Sequence, residues 1–161
     1  MRGAYERVST EADPVSRAGE LSAQTIIFDV EPLVASWNGS QESLDRGVAR
    51  VVSQVSAMGG VRAVCFATNS SRRPTRLPTC QGTLIAYLAS ARKPLRTRPY
   101  RDFPRPGVVI GDQAATDGVL AYRLGYTFLH HCPEVPAVPL GPRLLNHLGR
   151  IVVLSLFRDA N

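Results

Sequence analysis

Two apolar runs of this sequence end in carboxylate side chains. In "IIFDVEPLV" the run leads into Asp29 and Glu31, and in "PGVVIGDQAATD" it leads into Asp112 and Asp117. Taking a carboxylate out of water is costly unless the group is paired or binds a cation. The four carboxylates are therefore expected either to lie at a solvent-open rim or to be held there for chemistry.

A threonine, an asparagine and a lysine extend this set toward phosphate binding. Thr68 and Asn69 end the apolar run "VRAVCFATN", and Lys93 is the single lysine among 19 basic residues. Carboxylate oxygens suit Mg²⁺, while an ammonium, a hydroxyl and backbone amides bind phosphate oxygens. In such a site a carboxylate such as Asp29 can attack phosphorus and form an aspartyl phosphate.

Strands alternate with helices along the chain. Strands are predicted at "TIIFDV", "VRAVCFATN", "TLIAYLA", "PGVVIGD" and "YTFLHH". Helical spacing predicts a helix over "SQESLDRGVARVVSQVSAMGG", capped by Ser40 or Ser43 and stopped by Gly59, and a second over "ATDGVLAYRLG", stopped by Gly125. This alternation predicts a three-layer, Rossmann-like α/β sandwich with a mostly parallel sheet, whose ligands bind at the carboxyl ends of the strands.

One domain is expected from a length of 161 residues. Residues 1–22 mix charge, Ser, Gly and Pro without periodicity, which predicts a flexible N-terminal tail before a single domain over residues 23–161. A Pro-rich loop and the apolar segment "RLLNHLGRIVVLSLF" complete the chain. That segment is expected to pack in the core or to form a dimer surface.

The net charge of +6 favours anionic partners such as phosphates, lipid headgroups or nucleic acid. Arginines around Lys93 alternate with Pro, Tyr and Phe; a solvated basic loop is the favoured interpretation, and nucleic-acid binding ranks last. Arg72 and Arg73 are expected to be exposed, with a second substrate phosphate as the alternative. Three cysteines without a CxxC pair and the lack of a long apolar run predict a cytoplasmic protein, with peripheral contact at the inner face of an anionic membrane left open.

Four short motifs of this sequence occur in the same order as the four motifs of a known family. They are "FDVEPLVASW", "FATNSSR", "ARKP" and "GDQAATD". In order and separation they resemble the motifs of the haloacid dehalogenase (HAD) superfamily, and most of all its class IIIA branch, the YqeG-like family related to phosphatidylglycerophosphate phosphatases. The resemblance covers Gln24 to about Pro133 and implies a HAD-like fold. No insertion between the motifs is long enough for a cap domain, so a capless, open site is expected.

The resemblance also implies a role for each motif residue. Asp29 would be the nucleophile, and Glu31 would take the place of the general acid/base aspartate, whose backbone carbonyl also binds metal. Thr68 and Asn69 would bind the phosphoryl group, and Lys93 would stabilise both the nucleophile and the phosphate charge. The implied Mg²⁺ ligands are Asp29, Glu31, Asp112 and Asp117. The implied activity is Mg²⁺-dependent hydrolysis of a phosphomonoester, with the lipid phosphate phosphatidylglycerophosphate as the suggested substrate.

The first motif departs from the family pattern at Glu31, Pro32 and Leu33, and Leu33 stands where threonine is usual. Glu31 stands where aspartate is usual, which displaces the carboxyl group by one methylene, and such displacements affect rates. Pro32 stands where asparagine is usual and removes a backbone N–H from the loop that cradles phosphate. The stretch from Lys93 to Gly111 is also short and rich in proline. The alternative is therefore a catalytically degenerate HAD-fold protein that binds phosphate groups or a partner without turnover.

Overall fold

This computed structural model describes residues 3–9, 13–132, 149 and 151–159. Within these residues, seven parallel strands form one sheet. In chain order the strands are β1 (Gly3–Val8), β2 (Thr25–Asp29), β3 (Ala63–Ala67), β4 (Leu84–Leu88), β5 (Gly107–Gly111), β6 (Thr127–His131) and β7 (Phe157–Asp159). Their order across the sheet is β4-β3-β2-β5-β6-β1-β7. Strand β2 therefore lies between β3 and β5, and the carboxyl ends of these three strands meet at one edge.

Helices cover both faces of the sheet. They include α1 (Pro14–Glu20), α2 (Gln41–Met58) and α3 (Val119–Leu124), with a 3-10 turn at Arg98–Tyr100 and a π-helical turn at Ala114–Gly118. Because successive side chains of a strand point to opposite faces, Ile26 and Phe28 pack in the core under α1 and α2, while Ile27 packs in the core under α3. The molecule is thus a Rossmann-like α/β fold with a parallel sheet between helical layers.

The five predicted strands are confirmed as β2 to β6. The cap predicted for α2 is Ser40, whose Oγ accepts a hydrogen bond from the Ser43 amide at 3.1 Å, and the helix ends at Gly59 with φ of 67°. The helix predicted over residues 115–124 begins as the π-helical turn and ends at Gly125, whose left-handed φ of 67° suits glycine.

The prediction of a flexible tail over residues 1–22 is wrong for Gly3–Val8 and Pro14–Glu20. Strand β1 pairs with β6 on one side and β7 on the other, and α1 packs Val15 and Ala18 into the core. The strand was missed because its partners lie more than a hundred residues away and its own residues show no alternation. Main-chain hydrogen bonds to β6, rather than local apolar pattern, order this segment.

The end of the chain is described only in part. The predicted Pro-rich loop and the first part of the apolar segment lie outside the described residues. Residues 151–156 are helical, and Phe157 of β7 is buried. Among the described residues, no helix combines the length and the apolar character needed to cross a bilayer.

Candidate active site

Five of the seven predicted site residues line one pocket at the carboxyl edge of the sheet, and Asp112 and Asp117 lie against Asp29 in the carboxylate cluster. Asp29 is the last residue of β2, Thr68 directly follows β3, and Asp112 directly follows β5. Parallel pairing places these three strand ends side by side. The pocket measures about 250 Å³ and is lined by Asp29, Glu31, Trp37, Thr68, Asn69, Ser70, Arg72, Lys93, Gln113 and Thr116.

Three aspartates form a buried carboxylate cluster. One oxygen each of Asp29, Asp112 and Asp117 lies within 4.8 Å of the others. Burial and the Asp117 charge raise the pKa of Asp29 well above its ordinary value, and the same two causes raise the pKa of Asp112 to about 7. The three carboxylates therefore repel one another and favour a positive charge among them.

Lys93 supplies one positive charge to this cluster. Its Nζ lies 2.7 Å from Asp29 Oδ1 and 2.7 Å from Asp117 Oδ1, and its side chain is 2% exposed. Burial acts to lower the pKa of Lys93, but the charges of Asp117 and Asp29 outweigh it and hold the pKa above its ordinary value. The ammonium is therefore charged and directed at the predicted nucleophile.

Asn69 positions the loop that carries Lys93. The Lys93 amide donates to Asn69 Oδ1 at 2.7 Å, and Asn69 Nδ2 donates to the Lys93 carbonyl at 3.1 Å. Both polar atoms of the Asn69 side chain are thus engaged with backbone. This residue lines the pocket, and the contacts that its amide makes here hold Lys93 in place.

Asp117 is also held firmly. Its Oδ2 accepts a hydrogen bond from the Gln113 amide at 3.3 Å, while Oδ1 contacts Lys93. Gly111 makes this packing possible, because a Cβ at that position would lie 2.4 Å from the Asp117 carboxyl carbon. The last residue of β5 must therefore be glycine for Asp117 to lie against the strand.

The residues fit a divalent cation. Three carboxylates and one ammonium leave the cluster with excess negative charge, and Asp112 Oδ1 is buried with no hydrogen-bond partner among the described residues. Buried polar atoms are seldom left unpaired, and hard oxygen ligands suit Mg²⁺. Asp29, Asp112 and Asp117 would hold the ion.

The Glu31 carboxylate lies apart from the aspartate cluster and has its own partners. Thr68 Oγ1 donates to Oε2 at 2.6 Å, and Ser70 Oγ donates to Oε1 at 3.2 Å. Arg72 Nη1 lies 3.5 Å from the same Oε1. The side chain of Glu31 is thus fixed beside the pocket, and the metal contact implied for this residue concerns its backbone carbonyl and stays a prediction.

Sequence reasoning missed several residues of this site. Ser70, Gln113 and Thr116 line the pocket, and Arg72 was expected to be exposed although its side chain is 24% exposed and contacts Glu31. Arg73 is exposed, as expected. The signal for Ser70 was present, because it closely follows a strand end at the binding edge of the sheet. No local signal marks Arg72, whose partners lie more than thirty residues earlier.

No family model, curated protein or solved structure matches this chain in the three comparisons made. The interpretation of the site therefore depends on the motifs in the sequence and on the geometry described above. Both concern the same seven residues: Asp29, Glu31, Thr68, Asn69, Lys93, Asp112 and Asp117.

Proposed function

We propose that this protein is a Mg²⁺-dependent phosphomonoester hydrolase that forms a phosphoaspartate intermediate on Asp29. The observation that carries the proposal is the position of Lys93, which contacts Asp29 and Asp117 inside the cluster completed by Asp112. A HAD-like, capless fold belongs to the same proposal. It is supported by the described connections between the motif residues, which contain turns, single helices and strands of the same sheet rather than a separate domain.

The first half of the reaction uses Asp29 as nucleophile. One carboxylate oxygen bonds to phosphorus while the bond from phosphorus to the leaving oxygen breaks. The Lys93 ammonium orients Asp29 and offsets the negative charge of the phosphoryl group. Glu31, in its protonated form, donates a proton to the leaving oxygen.

The second half releases phosphate. The Glu31 carboxylate takes a proton from a water molecule whose oxygen bonds to phosphorus, and the bond from phosphorus to Asp29 breaks. Asp29 and the protonated Glu31 are then ready for the next substrate. Thr68 and Ser70, which contact both oxygens of Glu31, keep this carboxyl group beside the pocket through both halves.

A Mg²⁺ ion held by Asp29, Asp112 and Asp117, with the Glu31 carbonyl as a further ligand, would supply positive charge for the phosphate oxygens. The chain's own contribution is to hold the three carboxylates close together. Lys93 and the backbone amide of Gln113 fix the position of Asp117.

A lipid phosphate such as phosphatidylglycerophosphate is the substrate that we propose. On either side of Lys93 the chain presents Arg92, Arg96 and Arg98 at the surface, and Leu95 between them is 77% exposed. Arginines around an exposed leucine suit an anionic bilayer surface, where basic side chains meet headgroups and an apolar side chain enters the interface. An open pocket next to this surface favours a membrane-presented phosphomonoester at the cytoplasmic face.

A second candidate is a HAD-fold protein that binds phosphate groups or a partner without turnover. The observation that favours it is the hydrogen bond from Thr68 to Glu31, because the hydroxyl implied to bind phosphate donates to a carboxylate instead. The longer side chain of glutamate makes this contact possible.

Hydrolysis of p-nitrophenyl phosphate with Mg²⁺ or with EDTA tests the proposal. The variants are Asp29→Asn and, as a matched control on the surface, Asp102→Asn, because Asp102 is exposed and lies outside the pocket. We expect metal-dependent release of nitrophenol that Asp29→Asn abolishes and Asp102→Asn retains.

A different outcome would separate the two candidates. If the natural protein is inactive but Glu31→Asp combined with Pro32→Asn releases nitrophenol, binding without turnover is the better description. Hydrolysis that persists at full rate in Asp29→Asn would exclude the phosphoaspartate. A flotation assay with anionic phosphatidylglycerol vesicles and neutral phosphatidylcholine vesicles separately tests the contact with an anionic membrane that a lipid substrate requires.

A further inference from the structure

Arg72 ties the loop of residues 36–40 to the body of the protein. Its Nη1 donates to the Ser36 carbonyl at 2.8 Å, and its Nη2 donates to the Gly39 carbonyl at 2.9 Å. This loop carries Trp37, which lines the pocket, and leads into Ser40, the cap of α2. The Arg72 guanidinium therefore fixes the position of the loop whose Trp37 lines the pocket.

The same guanidinium contacts Glu31. Nη1 lies 3.5 Å from Glu31 Oε1, the oxygen that also accepts a hydrogen bond from Ser70 Oγ. An arginine presents several N–H donors in a rigid plane, so one side chain can serve a carboxylate and two carbonyls together. A lysine has a single nitrogen on a flexible stem and cannot span these partners.

We propose that Arg72 is a positioning residue for the reaction: it locks the Glu31 carboxylate and the loop of residues 36–40 into one arrangement. This inference rests on the proposed function. It explains how the chain accommodates glutamate at a position where the related motif has aspartate. The additional methylene gives the side chain another rotatable bond, and Arg72, Thr68 and Ser70 together restrict it.

Direct binding of substrate is the competing role for Arg72. Against it, the donors of Arg72 already point to loop carbonyls, and its charge lies beside the Glu31 carboxylate. A substrate-binding arginine acts mainly through charge, so lysine would replace it in part and its loss would raise KM. A positioning arginine acts through geometry, so lysine would fail and the loss would appear in kcat.

The experiment compares Arg72→Lys and Arg72→Gln with Arg73→Ala, a neighbouring arginine that is exposed and does not line the pocket. Far-UV circular dichroism first establishes which variants are folded; Lys and Gln provide two independent replacements. With p-nitrophenyl phosphate and Mg²⁺, we expect kcat to fall about 100-fold in both Arg72 variants, with KM nearly unchanged. Added guanidinium ion at a non-denaturing concentration should restore part of kcat in Arg72→Gln.

Trp37 provides a readout that does not depend on activity. It is the single tryptophan of the chain, so all tryptophan fluorescence reports the loop of residues 36–40. Acrylamide should quench this fluorescence more strongly in both Arg72 variants than in the natural protein or in Arg73→Ala, because the loop is released.

Each outcome decides the inference. Unchanged kcat in the Arg72 variants, or a raised KM that lysine corrects, overturns the positioning role while leaving the phosphatase proposal intact. If the natural protein shows no hydrolysis, the proposed function fails, and the quenching data alone judge the link between Arg72 and the loop. Unchanged quenching overturns that link as well.

Discussion

The ammonium of Lys93 lies 2.7 Å from the Asp29 carboxylate. The same nitrogen lies 2.7 Å from Asp117, so one cation joins the predicted nucleophile to a residue that follows β5. All three side chains are buried. Because removing one partner of a buried ion pair is costly, this contact holds Asp29 and Asp117 together.

Replacing Lys93 by Gln should destabilise the protein strongly. The change leaves Asp29 and Asp117 buried without their shared cation, and breaking a buried ion pair in this way costs about 3–5 kcal/mol. Urea denaturation in EDTA measures the loss, and Mg²⁺ should recover part of it because the ion compensates the carboxylates. Arg96→Gln, an exposed position in the same loop, is the control. Equal stability of the two variants would show that the ammonium does not compensate the cluster.

Asp112→Asn should stabilise the metal-free protein above neutral pH. Burial raises the pKa of Asp112 from 3.8 to about 7 in the folded protein, so the folded state retains a proton that the unfolded chain loses near its ordinary pKa. The contribution of Asp112 to stability is therefore fully present below pH 3.8 and declines until the pH passes about 7. At pH 8 in EDTA, the free energy of unfolding of the variant should exceed that of the natural protein by up to about 4 kcal/mol.

The same variant should lose its response to metal. Mg²⁺ should raise the melting temperature of the natural protein at pH 8 and leave that of Asp112→Asn nearly unchanged. A pH-independent difference between the two proteins in EDTA would contradict the raised pKa. An undiminished Mg²⁺ response in the variant would exclude Asp112 from the proposed set of Mg²⁺ ligands.

Removing residues 1–9 should lower the stability of the domain. Strand β1 pairs with β6 and β7, and Tyr5 packs against Phe128 and Phe157 at ring distances of 5.8 and 5.7 Å. Tyr5→Ala alone should cost about 2 kcal/mol, since the ring is only partly buried. Thermal and urea denaturation check both proteins. A truncated chain as stable as the full chain would mean that these residues form the tail that their composition suggests.

The three cysteines should react with a thiol reagent in a defined order. Cys80 should react first, because the Ser56 hydroxyl, 3.0 Å from its Sγ, lowers its pKa and because it is partly exposed. Burial raises the pKa of Cys132, and it raises that of Cys65 to about 12, so Cys65 should stay unmodified under native conditions. Mass spectrometry after timed labelling measures the order. Ser56→Ala should slow Cys80 and leave Cys132 unaffected; early modification of Cys65 would contradict the placement of β3.

Much of the fold could be predicted because its signals are local. The apolar runs of β2 to β6, the Ser40 cap and the stops at Gly59 and Gly125 each depend on a few neighbouring residues. Once the strands are parallel, their carboxyl ends meet, so the gathering of Asp29, Thr68 and Asp112 at one edge also follows. The order of the polar strand ends along the chain was enough to predict this part of the site.

The remaining features depend on pairs of residues that are distant in the sequence. Strand β1 is a strand because β6, more than a hundred residues later, supplies its main-chain partners. Arg72 contacts Glu31 and the loop before α2 because the turn after β3 returns the chain to them.

The sequence by itself determined the central elements from β2 to β6, their parallel arrangement and the chemistry available at their ends, because apolar periodicity and turn residues act over short distances. Only the tertiary structure decided which polar and charged groups pair with one another. Lys93 joins Asp29 to Asp117, and Arg72 and Thr68 contact the Glu31 carboxylate. Burial makes these pairings strong, and burial is a property of the assembled layers rather than of any segment.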